Sequence, residues 1–532
     1  MNSQESVNEP RQEKVVGPHH EEDVHTAAER GLAATDRYGH SLVHFDKAAE
    51  RRVRLKIDLY IIPTVALLYL FCFIDRANIG NARLAGLETE LRMTGTYDYN
   101  KLLSIFYISY ILFEVPSNMA CKWIGPGWFI PILSLCFGIA SLGTAFVNNL
   151  PQACGVRFVL GVFESGMMPG ISYYLSRWYR RSELAFRLSL FIVMSPLAGA
   201  FGGLLASGIL SLESFGNLHK WRMIFAIEGI ITIGLSLLSF LTLTDRPATA
   251  RWLTQEEKDL AIARVKSERV SQTSVLDKFS KSKLWLGFWN PAVLSTAWVF
   301  LLNNITVQGL AFFLPTIVAT IYPTYTTIQK QLYTVPPYIV GAFFTLLLPG
   351  LSWRLDKRQI FFILSAPLVI IGYSMFLGST NPQVRYAATF FLTSSCFSLG
   401  PLANAQVAAQ VISDTSRSFE NPEDSSSTLE EQITDSRCCS MSLATNMMFG
   451  NVGGLVATWS YISWDAPNYH IGNGLNLAAA SVILIFSTLS LFWMKWDNKR
   501  RDKRDIDREL DGLTPDQIED LEWKHPAWRW RP

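Results

Sequence analysis

Two pairs of charged side chains, each pair on one predicted helix, lie inside the apolar runs of the first half of this sequence. Asp75 and Arg76 are adjacent near the far end of one run, and Arg157 and Glu164 stand seven residues apart in another. Seven residues make about two helical turns, so the second pair lies on one helix face, roughly 10 Å apart, with Gly161 leaving space between. A charge inside a membrane span is costly unless it is paired or faces water. The pattern therefore predicts one polar cavity that all four charges line.

The four groups offer two complementary kinds of chemistry. The planar guanidinium of arginine donates two parallel hydrogen bonds to a carboxylate, and a carboxyl group in a partly dry cavity can carry a proton near neutral pH. We predict that Arg76 and Arg157 bind an anionic substrate, with Asn78 beside them. Asp75 and Glu164 are predicted to bind the coupling proton. The alternative interpretation is that these charges are buried ion pairs that only hold helices together.

The apolar runs of the second half carry amides and aromatic rings in place of charges. Asn303, Asn304 and Asn446 are predicted to form a wall that faces the substrate. Most other amides in these runs are expected to make hydrogen bonds between helices. The two halves are therefore expected to contribute differently, with charge from the first half and neutral polar contacts from the second.

Two further acids of the first half, Glu114 and Glu228, are predicted to act as gate elements. Their expected partners are the arginines that crowd the loop after the fourth apolar run, among them Arg181. Lys and Arg also precede the first run and follow the last one, whereas alternate loops are poor in both residues. The excess of positive charge in cytoplasmic loops then predicts that both chain ends lie in the cytoplasm.

These residues require a helical scaffold in lipid. Of the 532 residues, 49% are hydrophobic and only 17% are charged, whereas soluble domains usually carry about 25% charged residues. Twelve apolar runs begin near residues 57, 101, 127, 151, 187, 221, 291, 331, 359, 385, 441 and 474. Backbone polar groups cannot stay unpaired in lipid, so each run predicts a helix. The predicted fold is an all-α membrane protein with twelve transmembrane helices in two bundles of six.

The order of apolar and polar segments predicts five regions. They are a polar cytoplasmic tail (1–56), a first six-helix bundle (57–243), a cytoplasmic linker (244–290), a second six-helix bundle (291–496) and a second cytoplasmic tail (497–532). A Ser-rich and acidic insertion interrupts the second bundle at 413–437. A disordered surface loop, a phosphorylated regulatory loop and an error of the gene model are all open interpretations of that insertion.

Several other function classes find no support in the sequence. A phosphate-binding glycine loop, a cluster with metal-ligand spacing and a Ser-His-Asp arrangement are all absent, so we predict no enzyme, no metal and no cofactor besides the coupling proton. The basic residues are scattered and do not form a stripe, so nucleic acid is not an expected partner. The expected partners are the lipid bilayer and a small organic anion. A monomer in the plasma membrane is the expected form.

The motifs resemble those of a known family. The stretches "FIDRANIGNARLAGLETEL", "FEVPSNMACKWIGPGWFIP", "RFVLGVFESGMMPGISYYLSRWYRRSELAFRLSLF", "GAFGGLLASGI" and "DRPATARWLTQEEK" are similar to the anion:cation symporter family of the major facilitator superfamily. Within it they resemble the fungal branch of allantoate, nicotinate and pantothenate permeases. The similarity extends over about residues 50–500. The resemblance implies the major facilitator fold and proton-coupled uptake of small organic anions.

The family pattern also suggests roles for particular positions. Its cavity-lining charges on the first and fourth helices correspond to the four charges described above, with protons on the acids and the anion on the arginines. The segment at 356–358 partly resembles a gate motif, which adds Asp356 and Arg358 to the predicted gate residues. The loop "CKWIGPGW" lacks the acidic residue that is usual in the superfamily, and the insertion at 413–437 is unusual for the branch.

Together these patterns predict a secondary transporter that couples protons to the uptake of a vitamin-like or ureide-like carboxylate by alternating access. A drug–proton antiporter is one alternative, although the stretch "SPLAGAFGGLL" lacks the glycine-proline pattern that is common in the fifth span of such proteins. A nutrient sensor that keeps the scaffold but does not transport is another. Efflux of dye from cells would identify an antiporter. Substrate counterflow would distinguish a transporter from a sensor, which need not exchange substrate.

Overall fold

The computed structural model describes residues 46–179, 187, 190–213, 219–267, 289–355, 357–411, 445–504, 508–509, 522–524, 526 and 528–530. Within these ranges all regular secondary structure is helical. The predicted gate residues Arg181 and Asp356 and the insertion at 413–437 lie outside the described residues. The same is true of most of the predicted first tail. The all-α class predicted from the sequence is confirmed.

The helices fall into two groups with a helical linker between them. The first group is α1 (Lys47–Leu84), α2 (Asp98–Ile124), α3 (Pro126–Thr144), α4 (Leu150–Glu164), α5 (Met167–Trp178), α6 (Met194–Leu210) and α7 (Trp221–Thr242), with a short helix at Leu87–Glu90. The linker contains a 3-10 turn (Pro247–Thr249) and α8 (Gln255–Ser267). The second group is α9 (Pro291–Ile321), α10 (Thr327–Leu332), α11 (Val335–Leu355), α12 (Gln359–Gly378), α13 (Pro382–Val411), α14 (445–457) and α15 (His470–Arg501), with 3-10 turns at Ser463–Asp465 and Glu522–Lys524.

Nine helical segments in the described ranges are long and apolar enough to cross a membrane. The other three predicted spans correspond to α4 with α5, to α13 and to α14, each of which is helical. The chain is therefore a multi-pass membrane protein, and the count of twelve stays a prediction. Helix α1 begins at Lys47, ten residues before the predicted start of the first span at 57. Its 38 residues exceed the roughly 20 that a bilayer requires, so its first turns extend beyond the lipid.

The fourth predicted span consists of two helices because the chain breaks between Glu164 and Met167. Gly166 packs so closely on α2 and α3 that a β-carbon there would overlap the Ser117 hydroxyl. Pro169 lies in the first turn of α5, where a backbone N–H would have no carbonyl acceptor within the helix, so proline costs no hydrogen bond there. The break therefore separates the charged helix α4 from the segment that leads to the cytoplasmic arginines.

The two halves meet at the helix ends that are predicted to face the outside. Gly80 approaches α9 so closely that a β-carbon would stand 2.6 Å from the Phe312 carbonyl oxygen. Asn100 Nδ2 donates to the Thr458 carbonyl at 2.6 Å, and Ser104 Oγ lies 2.9 Å from Thr458 Oγ1. We call these five residues the outer seam. The seam is closed in this structure.

Helix α8 of the linker packs on the predicted cytoplasmic end of the first half. Lys56 Nζ of α1 donates to the Glu257 carboxylate, and Arg264 Nε donates to Glu50 Oε1 at 2.9 Å. Partial burial opposes the charge of Glu257, but hydrogen bonds from Lys56 and from the Thr254 backbone outweigh it and lower the pKa of this carboxyl. The linker helix is thus held by ion pairs to the first turns of α1.

Replacing Glu257 by Gln should loosen α8 at neutral pH. The pKa of Glu257 is lower in the folded protein than in the unfolded chain. Its contribution to stability is therefore fully present above the usual glutamate pKa, about 4.3, and is lost as pH falls through the folded pKa. Hydrogen exchange of residues 255–264 should be faster in Glu257→Gln at pH 7 and should approach wild type in acid. The exposed Asp259→Asn is the matched control. Equal protection in both variants at pH 7 would contradict this assignment.

Candidate substrate site

The charges of α1 and α4 form two ion pairs between the helices. Arg76 Nε donates to Glu164 Oε2 at 2.6 Å, and both side chains are buried. Arg157 Nη1 donates to Asp75 Oδ2 at 3.2 Å. Ser141 of α3, which the sequence analysis missed, donates to Asp75 Oδ1 at 2.5 Å. Each arginine of one helix therefore neutralises an acid of the other, so the four predicted residues lie together.

Aromatic rings surround the Arg76 guanidinium. Its carbon lies 5.0 Å from the centroid of Phe73, 5.3 Å from that of Phe106 and 4.9 Å from that of Tyr110. Each ring presents partial negative charge on its face, which stabilises the cation, and Nη2 also donates to Cys72 Sγ at 3.9 Å. The rings also restrict the side chain to one position. Arg76 therefore has a fixed orientation, and Glu164 is its ionic partner among the described residues.

A third polar group lies close to these pairs. Asn78 Nδ2 donates to Glu228 Oε2 at 2.7 Å, and Asn81 Nδ2 donates to Asn78 Oδ1 at 2.9 Å. All three side chains are buried. Asn78, predicted to bind substrate, therefore contacts an acid of α7, and the predicted gate residue Glu228 lies inside the first half against α1.

A cavity of about 80 Å³ lies between the two halves, several times the roughly 10–15 Å³ that one water requires. The prediction that all four charges line one cavity is wrong in this respect, because only Arg76 is part of the wall of this cavity. Asp75, Arg157 and Glu164 lie behind that wall, because each is engaged by a neighbouring helix of the same bundle. The polar residues of the cavity wall are Arg76, Glu114, Ser195, Asn303, Asn304, Gln308, Asn404, Asn451, Tyr69, Tyr110, Cys72 and Cys396.

Two of the three predicted amides of the second half reach the cavity. Asn303 Nδ2 donates to the Cys396 carbonyl and Asn304 Nδ2 donates to the Phe300 carbonyl, both at 3.0 Å, and each side chain lines the cavity. Asn446 is not part of the wall. Its Nδ2 donates to Asn404 Oδ1 at 2.7 Å and so orients Asn404, a wall residue that the sequence analysis did not select.

One hydrogen bond crosses the cavity from half to half. Asn451 Nδ2 of α14 donates to Glu114 Oε2 of α2 at 2.9 Å. Glu114 was predicted to pair with arginines, and its observed partner is this amide. Among the other predicted gate residues, Arg358 stands at the start of α12, where its carbonyl oxygen accepts from the Phe361 N–H at 3.0 Å. The contact between Glu114 and Asn451 is therefore the candidate inner gate.

The missing acid of the loop between α2 and α3 is supplied by the linker. Asp245 Oδ1 accepts from Arg177 Nη1 at 3.0 Å, and a β-carbon on Gly125 would lie 2.8 Å from the same oxygen. A β-carbon on Gly127 would lie 2.5 Å from the Asp245 backbone nitrogen. The two glycines of "GPG" could have indicated this close approach, but not the residue that makes it.

Two helix groups around a buried, charged cavity define a membrane transport protein.

Comparison with known proteins agrees with this class. Residues 65–418 match the Major Facilitator Superfamily, and the chain belongs to that family. It is 32% identical to an uncharacterized transporter of Schizosaccharomyces pombe, over 86% of this chain and 85% of that protein. It is 29% identical to the high-affinity nicotinic acid transporter of Saccharomyces cerevisiae, over 96% of this chain and 90% of that protein.

Solved structures support the same fold. The crystal structure of a D-xylose–proton symporter matches with a TM-score of 0.59, and the match covers 80% of this chain and 97% of that one. The sequence identity in that comparison is 16%. The similarity therefore establishes the arrangement of helices and carries no information about substrate.

Proposed function

We propose that this protein imports a small organic carboxylate together with protons across the plasma membrane, by alternating access. The proposal depends above all on Arg76, which lines the cavity while its Nε is bonded to buried Glu164. A guanidinium at a cavity wall can bind a carboxylate ligand, and the acid that is paired with it, Glu164, can bind a proton. Similarity to a nicotinic acid transporter adds support for a substrate that is a small acid.

Proton and anion binding are linked through the pair of Arg76 and Glu164. A substrate carboxylate must compete with Glu164 for the guanidinium, and a proton on Glu164 removes that competitor. By thermodynamic reciprocity, the anion on Arg76 then makes Glu164 easier to protonate. Asp75 is the alternative proposed site for this same proton, because protonation of Asp75 would release Arg157 in the same way.

The remaining wall would orient the substrate. Asn303 and Asn304 line the same cavity as Arg76 from the second half, and their hydrogen bonds to backbone carbonyls hold the amides in place. Phe73, Tyr110 and Phe300 add apolar ring surface to the same cavity. These features favour a small, flat or compact acid with one carboxylate and an opposite edge that accepts or donates hydrogen bonds.

Alternating access would exchange the outer seam for the inner gate. With the seam closed, the first half is locked to α9 and the segment after α14 at the outer end. Breaking the bond between Glu114 and Asn451 would then open the cavity toward the cytoplasm. Opening the seam while that bond holds would admit substrate from outside.

The variant Glu164→Gln tests the coupling. Gln cannot exchange a proton, so accumulation driven by an acidic exterior should fall to background, whereas exchange of labelled for unlabelled substrate should persist. The substrate is first chosen by a thermal-shift screen of nicotinate, pantothenate, biotin and allantoate with the purified protein. Uptake is then measured in proteoliposomes.

Full acid-driven accumulation by Glu164→Gln would contradict this role. The exposed Glu256→Gln of α8 is the control for a lost carboxylate and should behave as wild type. Wild-type protein that transports none of these acids, but expels a cationic dye, would favour the antiporter alternative.

A further inference from the structure

Glu228 differs from the other buried acids of the first half. Its side chain is fully buried on α7, and its Oε2 accepts from Asn78 Nδ2 at 2.7 Å. Within the described residues, Oε1 has no hydrogen-bond partner and neither oxygen forms a salt bridge. Asp75 and Glu164, in contrast, each accept from an arginine. Glu228 is thus an acid inside a membrane span with an amide as its partner.

The charge count around Glu228 does not balance when every group is ionised. Its charged neighbours are Asp75 of α1 and Arg157 and Glu164 of α4. Arg76 neutralises Glu164, and Arg157 neutralises Asp75. Helices α3 and α6, which also pack on α7, carry no acidic or basic residue within their bounds. Arg222 of α7 is neutralised by Glu90 of the short helix Leu87–Glu90. An ionised Glu228 would therefore leave one uncompensated negative charge within the bilayer, whereas a protonated Glu228 leaves the cluster neutral.

The position of Glu228 also suggests where its proton comes from. The amides of Asn78 and Asn81 form a hydrogen-bonded row that begins at Glu228 and extends along α1 toward its outer end. Gly80, the outer-seam residue that touches α9, lies between these two positions in the sequence. Separation of the two halves at the outer seam would therefore bring water to the row of amides and to Glu228.

We propose that Glu228 is a second proton-binding carboxyl of the transport cycle. It takes a proton from the external water when the outer seam is open and keeps it while the seam is closed. The proton leaves toward the cytoplasm by way of Glu164, which is hydrogen-bonded to the cavity-wall residue Arg76, so Glu164→Gln stops both protons whereas Glu228→Gln stops only one. This inference rests on the proposed function, since it adds a second proton to the one that Glu164 binds.

Two protons with one monovalent anion carry a net charge of +1 inward. The accumulation ratio of the anion should then rise about tenfold for every ~59 mV of interior-negative potential. With Glu228→Gln, which resembles the protonated acid in shape and charge, only one proton moves with the anion and transport becomes electroneutral. We expect this variant to respond to a pH gradient and to ignore the membrane potential.

The experiment uses full-length protein in proteoliposomes, with a potassium diffusion potential and a pH gradient set independently, and labelled nicotinate or the acid chosen by the screen. The control is Glu90→Gln, because Glu90 also contacts α7, through Arg222 at 2.6 Å, but lies at the protein surface. The control should keep the voltage dependence of wild type. A Glu228→Gln variant with undiminished voltage dependence would overturn the proposal.

A measurement on wild type guards against a variant that fails to fold. The reversal potential of nicotinate flux at known gradients gives the number of protons per anion. A ratio of two supports the proposal, whereas net flux whose direction does not depend on voltage means one proton per anion and overturns it. Absence of any pH-driven uptake by wild type would instead refute the proposed function itself, so the two failures are distinguishable.

Discussion

Replacing Arg76 by Lys should lower the initial rate of carboxylate uptake by about 10- to 100-fold at subsaturating substrate. Lys keeps the positive charge but loses the planar fork, and it replaces the bond from Nε to Glu164 by a flexible ammonium. A hydrogen bond to a charged group contributes about 1.5–3 kcal/mol, and about 1.4 kcal/mol corresponds to a tenfold change. Lys also lacks the flat guanidinium face that packs against the three surrounding rings.

The measurement is uptake over a range of substrate concentrations, with the amount of protein in the membrane quantified. The control is Arg52→Lys, an exposed arginine on the same helix that makes the same chemical change outside the lipid. The apparent affinity should weaken in Arg76→Lys and stay unchanged in the control. Equal transport by both variants would exclude Arg76 as the anion site.

Replacing Gly80 by Ala should slow the transport cycle by about 10- to 100-fold without changing which substrate is bound. The added methyl group would stand 2.6 Å from the Phe312 carbonyl oxygen. Contacts of that kind cost about 1–3 kcal/mol in a tightly packed interior. Because the cost falls only on the state in which the outer seam is closed, the open state becomes more populated.

Gly208→Ala is the matched control for this variant. Gly208 lies on α6 with no atom within 4 Å of the position of an added β-carbon, so the same change should be tolerated. Seam closure is measured by cross-linking cysteines introduced in place of Tyr97 and Trp459, whose ring centroids are 5.8 Å apart across the seam. Cross-linking should fall in Gly80→Ala and persist in Gly208→Ala. Unchanged cross-linking with unchanged uptake would refute the role of the seam.

The presence of the charged site could be predicted from the sequence, but its pairing could not. Charges inside apolar runs must find partners or water, so Asp75, Arg76, Arg157 and Glu164 were expected to lie together. The seven-residue spacing predicts a shared face for Arg157 and Glu164, yet two turns separate them by too much for a direct bond. Each therefore pairs with a residue of α1, and which residue it takes depends on how α1 and α4 cross.

Empty space was the feature hardest to predict. Gly161 was expected to leave room beside the charges, but Ser109 and the Phe106 carbonyl of α2 occupy the place where its β-carbon would be. A glycine in a membrane helix marks either a cavity or a close helix contact, and its sequence context does not distinguish the two. The positions of the charges in the sequence likewise do not show which of them reaches the cavity, and the wall includes Arg76 but not the three other charges.

Amide residues show a similar limit. Asn303 and Asn404 both line the cavity, whereas Asn446 supports Asn404 from behind. All three occur in apolar runs with comparable neighbours, so residue type alone does not separate wall from support. The helical class and the long apolar segments, in contrast, follow from local composition and were predicted correctly.

The occupied state of the Arg76 guanidinium has a consequence for selectivity between related nutrients. A neutral amide derivative of the same acid has no charge to offer in place of the Glu164 carboxylate, so it cannot replace the ionic bond that it would have to break. Sites built to satisfy a buried polar group discriminate strongly against analogues that leave it unpaired. On the proposed function, the protein would thus distinguish nicotinate from nicotinamide by charge alone, without relying on a difference in shape.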